Sequence, residues 1–301
     1  MKERIKTLGT TLATLLRVAR HSRFRYKLPT TLVSEQVCFV LGNGPSLNTD
    51  LEKCKHMQFL GEVWCVNQFA ETALYEQLQP KNYVFADSSY WRDDETESLI
   101  QLRTELFSTI LNKTTWQLTI YIPFDAKNHF EAIFGNTSNI TLHFYNSTTA
   151  LGAKRVVKMI YDYDLGMPWV QNVLVAALFL SLRRGYKKIY LLGADHSWHE
   201  TLALDDENRV CIRDNHFYQG NAKLIPFTMG GDQGKTFTMA QLFFALSKMF
   251  EGYWMIKEYA EALGAEVLNA SSITYVDAFK RVKIADISEI HMISDSLNSS
   301  L

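Results

Sequence analysis

The sequence predicts an α/β protein of Rossmann-like type, a mainly parallel open sheet with a helical, loop-rich C-terminal part completing a cleft. Three observations carry that expectation. Short apolar, β-prone runs alternate with helix-like segments in a β-α-β-α-β order, the pattern of a parallel sheet covered by helices on both faces. The first run breaks into a glycine–proline turn, VLGNGPSL at residues 40–47. Three successive runs end in polar residues, namely Asn43 with Ser46, Asn67, and Asp87 with Ser88. In open α/β sheets ligands bind beyond the carboxyl ends of the strands, so these ends define one candidate rim.

Taken in order, residues 36–42 read as a strand that feeds a short helix starting near Ser46. EVWCVN (62–67) is a second strand, residues 70–78 a helix, and NYVFAD (82–87) a third strand ending in an acid. A charged helix is expected over 92–112, then strands in WQLTIYIPF and NITLHFY, while 145–168 shows no clear period. Pro168 is suited to the first turn of a helix, so a largely buried helix is expected from there to Gly185. KKIYLLGAD is another buried strand, followed by Asp195, His196 and Ser197. Residues 199–235 are polar and without periodicity, as a lid or binding loop is, and contain DNHFYQG and GGDQGK. A final helix, 237–262, leads past Gly264 into the strand AEVLNA. The expected division is a basic amphipathic arm at 1–30, a Rossmann-like domain at 31–280 with its lid at about 199–235, and a tail at 281–301.

Composition narrows the class. The 301 residues are 47% hydrophobic, enough for a sizeable core and far from a disordered composition. Cys38, Cys54, Cys65 and Cys211 show no CxxC or Cys/His metal spacing and read as reduced core thiols, which favours a cytoplasmic protein. No stretch has the length of a membrane span, and no signal-peptide pattern opens the chain. Net charge is −1, but residues 1–28 hold eight basic side chains against Glu3 alone, leaving the remainder acidic. Ile5, Leu8, Leu12, Leu15 and Leu16 recur at helical spacing in this arm. Such a helix suits peripheral contact with an anionic membrane, at the inner face of the plasma membrane, or packing on its own domain. The acidic remainder and the lack of a recognised motif argue against nucleic acid.

The GNGPSL turn has a physical logic. Gly42, Gly44 and Pro45 shape a turn in which backbone N–H groups at a helix start face a phosphate or carboxylate, with Asn43 and Ser46 adding side-chain hydrogen bonds. It lacks the third glycine of GxGxxG, because position 47 is Leu47, and lacks the Gly-Lys-Ser/Thr ending of a Walker loop. GGDQGK at 230–235 follows no strand and reads as a lid turn. His196, His199 and Glu200 lack a third convergent ligand, so no metal site is expected.

VLGNGPSL, CVNQF and GYKKIYLLGAD together resemble the motifs of bacterial sialyltransferases of glycosyltransferase family 42. With GADHSW, NHF and VLNAS they are similar also to a domain family named for an archaeal 6-hydroxymethylpterin diphosphokinase, which occurs in bacterial surface-polysaccharide and flagellin-glycosylation proteins. The sialyltransferase resemblance implies a cytidine-monophosphate-linked sugar donor held by Asn43, Ser46 and Asn67, and inverting, metal-independent transfer to a glycan or lipid-linked acceptor. It makes His216 the general base, with Tyr190 and Tyr218 donating hydrogen bonds to the departing phosphate. A histidine titrating near neutrality suits removal of a proton from an attacking hydroxyl. The chain departs from that family before the long buried helix, where PWVQNVL replaces an arginine and an SG pair, leaving Asn172 to fill part of that role, and after the aspartate, where Asp195-His196-Ser197-Trp198 stands. A related nonulosonic acid or another nucleotide-activated sugar therefore stays open as donor. The diphosphokinase resemblance implies instead Mg²⁺-dependent diphosphate transfer from ATP, with Asp87, Asp195, Asp205 and Asp206 as carboxylates. A non-catalytic nucleotide-binding module is the third alternative.

Overall fold

The structure is a computed structural model that describes residues 2–28, 36–52, 57–214, 223–228, 235–287 and 290–292. Its centre is one sheet of eight strands: β1 (Val37–Leu41), β2 (Glu62–Val66), β3 (Asn82–Val84), β4 (Leu118–Pro123), β5 (Ile140–Tyr145), β6 (Lys188–Leu192), β7 (Glu266–Asn269) and β8 (Lys280–Arg281). Their order across the sheet is β8-β7-β6-β1-β2-β3-β4-β5, and every pairing is parallel. This is the Rossmann-like α/β arrangement expected. Strands covered on both faces need no polar alternation, which is why VCFVL, EVWCV and KIYLL run apolar almost throughout and are buried after their first residue.

Among the described residues eight α-helices accompany the sheet: α1 (Lys2–His21), α2 (Ser46–Glu52), α3 (Leu74–Leu78), α4 (Glu97–Lys113), α5 (Lys127–Phe134), α6 (Lys154–Asp162), α7 (Val173–Arg184) and α8 (Met239–Ala262). On one face Cys38, Val40, Trp64 and Leu191 meet α7 and α8; on the other Phe39, Leu41, Cys65 and Leu192 meet α2, α4 and α5. Phe39 stacks on Tyr190 of the neighbouring strand, and Trp64 on Tyr121 two strands away, so ring contacts reinforce the ladder. Cys38, Cys65 and Cys211 are buried free thiols, and burial pushes the first two well above the usual thiol range. Cys54 lies outside the described residues.

Several boundaries differ from the sequence expectation for identifiable reasons. The buried helix does not open at Pro168; it starts at Val173, where the Asn172 side chain caps it by accepting from the N–H groups of Leu174 (2.8 Å) and Val175 (3.2 Å). The helix expected over 70–78 is a 3-10 turn, Asn67–Glu71, followed by the short α3. The aperiodic stretch 145–168 contains α6. The segment 199–235 is not all loop: Leu202–Leu204, Val210–Asp214 and Lys223–Pro226 form a three-stranded antiparallel sheet. Its first turn is held by Asp205, whose carboxylate accepts from the N–H groups of Glu207 (3.0 Å) and Arg209 (2.8 Å) and pairs with the Arg209 guanidinium. In the tail, Ile290–Met292 pairs antiparallel with Met57–Phe59. Among the described residues no helix is long and apolar enough to cross a membrane.

Candidate functional site

Strand order reverses at β1: its chain successor β2 lies on one side and β6 on the other. That reversal is where open α/β sheets form a crevice. The two loops leaving the crevice, Gly42–Ser46 and Gly193–Ser197, are hydrogen-bonded to each other. The Gly42 N–H donates to Leu192 O (2.8 Å) and the Gly44 N–H to Gly193 O (2.9 Å). Asp195 accepts from both the Ser46 backbone N–H (2.9 Å) and the Ser46 hydroxyl (2.6 Å). A Cβ at position 44 would stand 2.2 Å from Asp195 Oδ1 and 2.6 Å from Gly193 O, so only glycine lets the loops close. The amides expected to face a ligand anion are thus engaged within the protein, and the Asp195 carboxylate occupies the place at the start of α2 where that anion was expected. Ser46 and Asp195 are brought to the site, but bound to one another.

Above this latch lies a cleft of about 560 Å³, lined by Asn43, Gly44, Asn67, Asp87, Asn172, Asp195 and His196 among others. Its walls hold two buried polar atoms without a hydrogen-bond partner among the described residues, Asn67 Oδ1 and Asn172 Nδ2. Asn67 ends β2 in the left-handed region (φ 50°), a conformation asparagine tolerates better than most residues, and its backbone carbonyl accepts from the Tyr83 hydroxyl. Asn172 has its carbonyl fixed by capping α7, which assigns the amide orientation and turns Nδ2 away from the helix. One wall thus offers a free acceptor and another a free donor. Asn43 donates to Val66 O (3.2 Å) and is otherwise exposed, as is Asp87, which accepts from the Ser89 N–H (2.9 Å) at the rim.

His196, also left-handed (φ 53°), is buried between Trp198 and Tyr253. Its Nε2 lies 2.5 Å from the Tyr253 hydroxyl, which donates to Asn172 Oδ1 (3.2 Å). With the tyrosine proton on the asparagine, Nε2 carries the imidazole proton and Nδ1 is the lone-pair atom. Burial pushes this histidine down to about 4, so it is neutral at pH 7. The chain His196–Tyr253–Asn172 therefore fixes a neutral imidazole and an oriented amide on the same wall.

The remaining sequence candidates are distributed as follows. Tyr190 is buried mid-strand in β6 against Phe39 and does not line the cleft. His216 and Tyr218 lie outside the described residues. Asp205 is paired with Arg209 in the small sheet, and neither it nor Asp206 lines the cleft. The His199 ring packs edge-on against Tyr275, whose hydroxyl bonds Glu200. Among the described residues no three His, Cys, Asp or Glu side chains are grouped to hold a metal. A Mg²⁺ reading would have Asp87 and Asp195 on the cleft wall, the latter already engaged by Ser46.

Sequence reasoning missed Tyr253, Gln171 and Trp198. The first was hidden inside a helix, where a tyrosine reads as core. A signal existed in its neighbour: Gly252 sits mid-helix, a costly place for glycine, and a Cβ there would stand 2.6 Å from Trp169 O. That glycine marks where α8 presses against the 169–172 segment of the cleft wall.

An all-parallel sheet with its cleft at the strand-order reversal makes this a Rossmann-like α/β protein. No family model matches the chain, and no curated protein does. Among solved structures it is similar to the MAf glycosyltransferase from Magnetospirillum magneticum AMB-1, at 11% sequence identity and a TM-score of 0.49. That match covers 93% of this chain and 39% of the other, so the chain spans about two fifths of that structure's length.

Proposed function

We propose that the protein is a glycosyltransferase that binds a nucleotide-activated sugar in the β1/β6 cleft, with a cytidine-monophosphate-linked, sialic-acid-like donor as the specific case. The observation that carries this reading is the pair of buried polar atoms on the cleft walls that have no partner among the described residues, Asn67 Oδ1 and Asn172 Nδ2. Leaving such atoms unpaired costs about 1–3 kcal/mol each, and a ligand that pairs them recovers it. Cytosine carries an exocyclic amino donor beside ring acceptors, and sugar hydroxyls are both, so either half of such a donor satisfies the pair. With Asp195 engaging Ser46 at the start of α2, the base and sugar hydroxyls of the donor would meet these walls through hydrogen bonds, and its phosphate would lie away from that helix start. The motif resemblance to family 42 sialyltransferases supplies the finer proposal.

In the proposed reaction the acceptor hydroxyl oxygen forms a bond to the anomeric carbon as the anomeric C–O bond to phosphate breaks with inversion. The acceptor proton passes to a base, for which His216 is proposed, and the nucleotide leaves with the bonding electrons. His196, neutral and held by Tyr253, serves as a hydrogen-bonding group of the wall.

A thermal-shift panel of CMP, CDP, UDP, GDP and ATP, each with and without Mg²⁺, tests the reading. Ligand at 100 times its Kd stabilises by about 2.7 kcal/mol, so a preferred nucleotide stands out. CMP is expected to raise Tm without metal, and Asn67→Gly, which keeps the left-handed backbone and removes the acceptor, is expected to weaken binding by roughly tenfold. Stabilisation by Mg-ATP alone would transfer the assignment to diphosphate transfer.

A further inference from the structure

Helix α1 is docked the reverse way round for an amphipathic helix. Its buried residues are Thr11, Thr14 and Val18. The Thr14 hydroxyl donates to Leu151 O (2.8 Å) and accepts from the Leu151 N–H (3.1 Å), while Thr11 Oγ1 accepts from the Ala153 N–H (2.8 Å). A polar seam therefore holds the helix on the domain. The apolar stripe faces outward: Ile5, Leu8, Leu12, Leu15 and Leu16 are 41–71% exposed. At 3.6 residues per turn Lys2, Arg4 and Arg20 border that stripe, and all three are exposed. A helix packed only for stability would bury its leucines, and among the described residues nothing covers this face.

We propose that α1 docks the protein on an anionic lipid surface, lying in the interface with its leucine stripe inserted and its basic border at the headgroups. Charge selects this occupant. Residues 1–28 hold eight basic side chains against one acid. A second copy meeting the first through the same face would bring two strongly positive surfaces together, which opposes association. Anionic headgroups attract each basic residue near the surface by roughly fivefold in affinity, and the stripe adds apolar burial. The seam at Thr11 and Thr14 fixes the helix so that the domain is presented in one orientation to the membrane.

Co-sedimentation of the purified full chain with phosphatidylcholine vesicles, with and without added phosphatidylserine, is the test. Binding is expected only with phosphatidylserine, and it is expected to fall as salt is raised. The double variant Leu8→Glu/Leu12→Glu should bind about 100-fold more weakly with an unchanged melting temperature, because both side chains are exposed. Arg4→Glu/Arg20→Glu should lose affinity while leaving the stripe and the Thr11–Thr14 seam intact, since both side chains are exposed. Equal binding to neutral vesicles, undiminished binding by both variants, or a lipid-free dimer split by Leu8→Glu/Leu12→Glu would each overturn the proposal, the last assigning the face to a second copy.

Discussion

At the residue scale, His196 couples the site to pH. Its folded-state value is pushed down to about 4 by burial, against an ordinary value near 6.5. The unfolded chain therefore takes up the proton first as pH falls. The stability contributed by keeping this imidazole neutral is complete above about 6.5 and is lost as pH drops toward 4. The loss for this one residue is roughly 2–3 kcal/mol. His143, held down to about 4 by burial and the nearby Arg184, acts in the same direction. Chemical denaturation at pH 7 and pH 4 should show the wild type losing more stability than His196→Asn, since asparagine tolerates the left-handed backbone and does not titrate. Equal losses in the two proteins would show that His196 is not desolvated in solution.

At the element scale, one buried ion pair joins most of the helices on the α7 face. The Arg183 guanidinium donates to Asp164 Oδ1 (2.7 Å), to Asp162 O (2.8 Å) and to the Tyr259 hydroxyl (3.2 Å). The second Asp164 oxygen accepts from the Leu28 N–H (3.2 Å) just past α1. The end of α6, α7, α8 and the chain leaving α1 thus meet at one cluster. Removing one partner leaves a buried charge, so Arg183→Met should cost about 3–5 kcal/mol, read as a lower denaturation midpoint. A loss below about 1 kcal/mol would mean that water reaches Asp164 in the folded protein. The same cluster shows where sequence reading stopped. The apolar runs VCFVL, EVWCV and KIYLL announced their strands because a covered parallel sheet leaves no room for polar residues. Arg183, Asp164 and Tyr259 are far apart in sequence and carry no periodic signal. The small sheet at 202–226 went unread because its first turn depends on the Asp205 side chain rather than on glycine or proline.

At the scale of the whole molecule, the cleft depends on parts of the chain that sequence order separates widely. The strand ends holding Asn43, Asn67, Asp87 and Asp195 were legible because polar residues ended apolar runs, and those four do line the cleft. What was not legible was their pairing: a serine and an aspartate 149 residues apart close the two loops on each other. Nor was the contribution of α8, which places Tyr253 behind the wall against His196 and Asn172 and is seated there by Gly252. This seating gives a prediction that separates cleft geometry from sheet integrity. In Gly252→Ala the added Cβ would lie 2.6 Å from Trp169 O, a backbone atom, so either α8 or the 169–172 segment must move. Overpacking of this kind costs typically 1–3 kcal/mol, which leaves a folded protein to assay. The displacement falls on Asn172 and on the Tyr253–His196 contact, so affinity for the proposed nucleotide ligand should drop by about tenfold or more while far-UV circular dichroism is unchanged. Nucleotide affinity equal to that of the wild type would mean that the ligand is held by the β1, β2 and β6 loops alone and that α8 only buttresses the sheet.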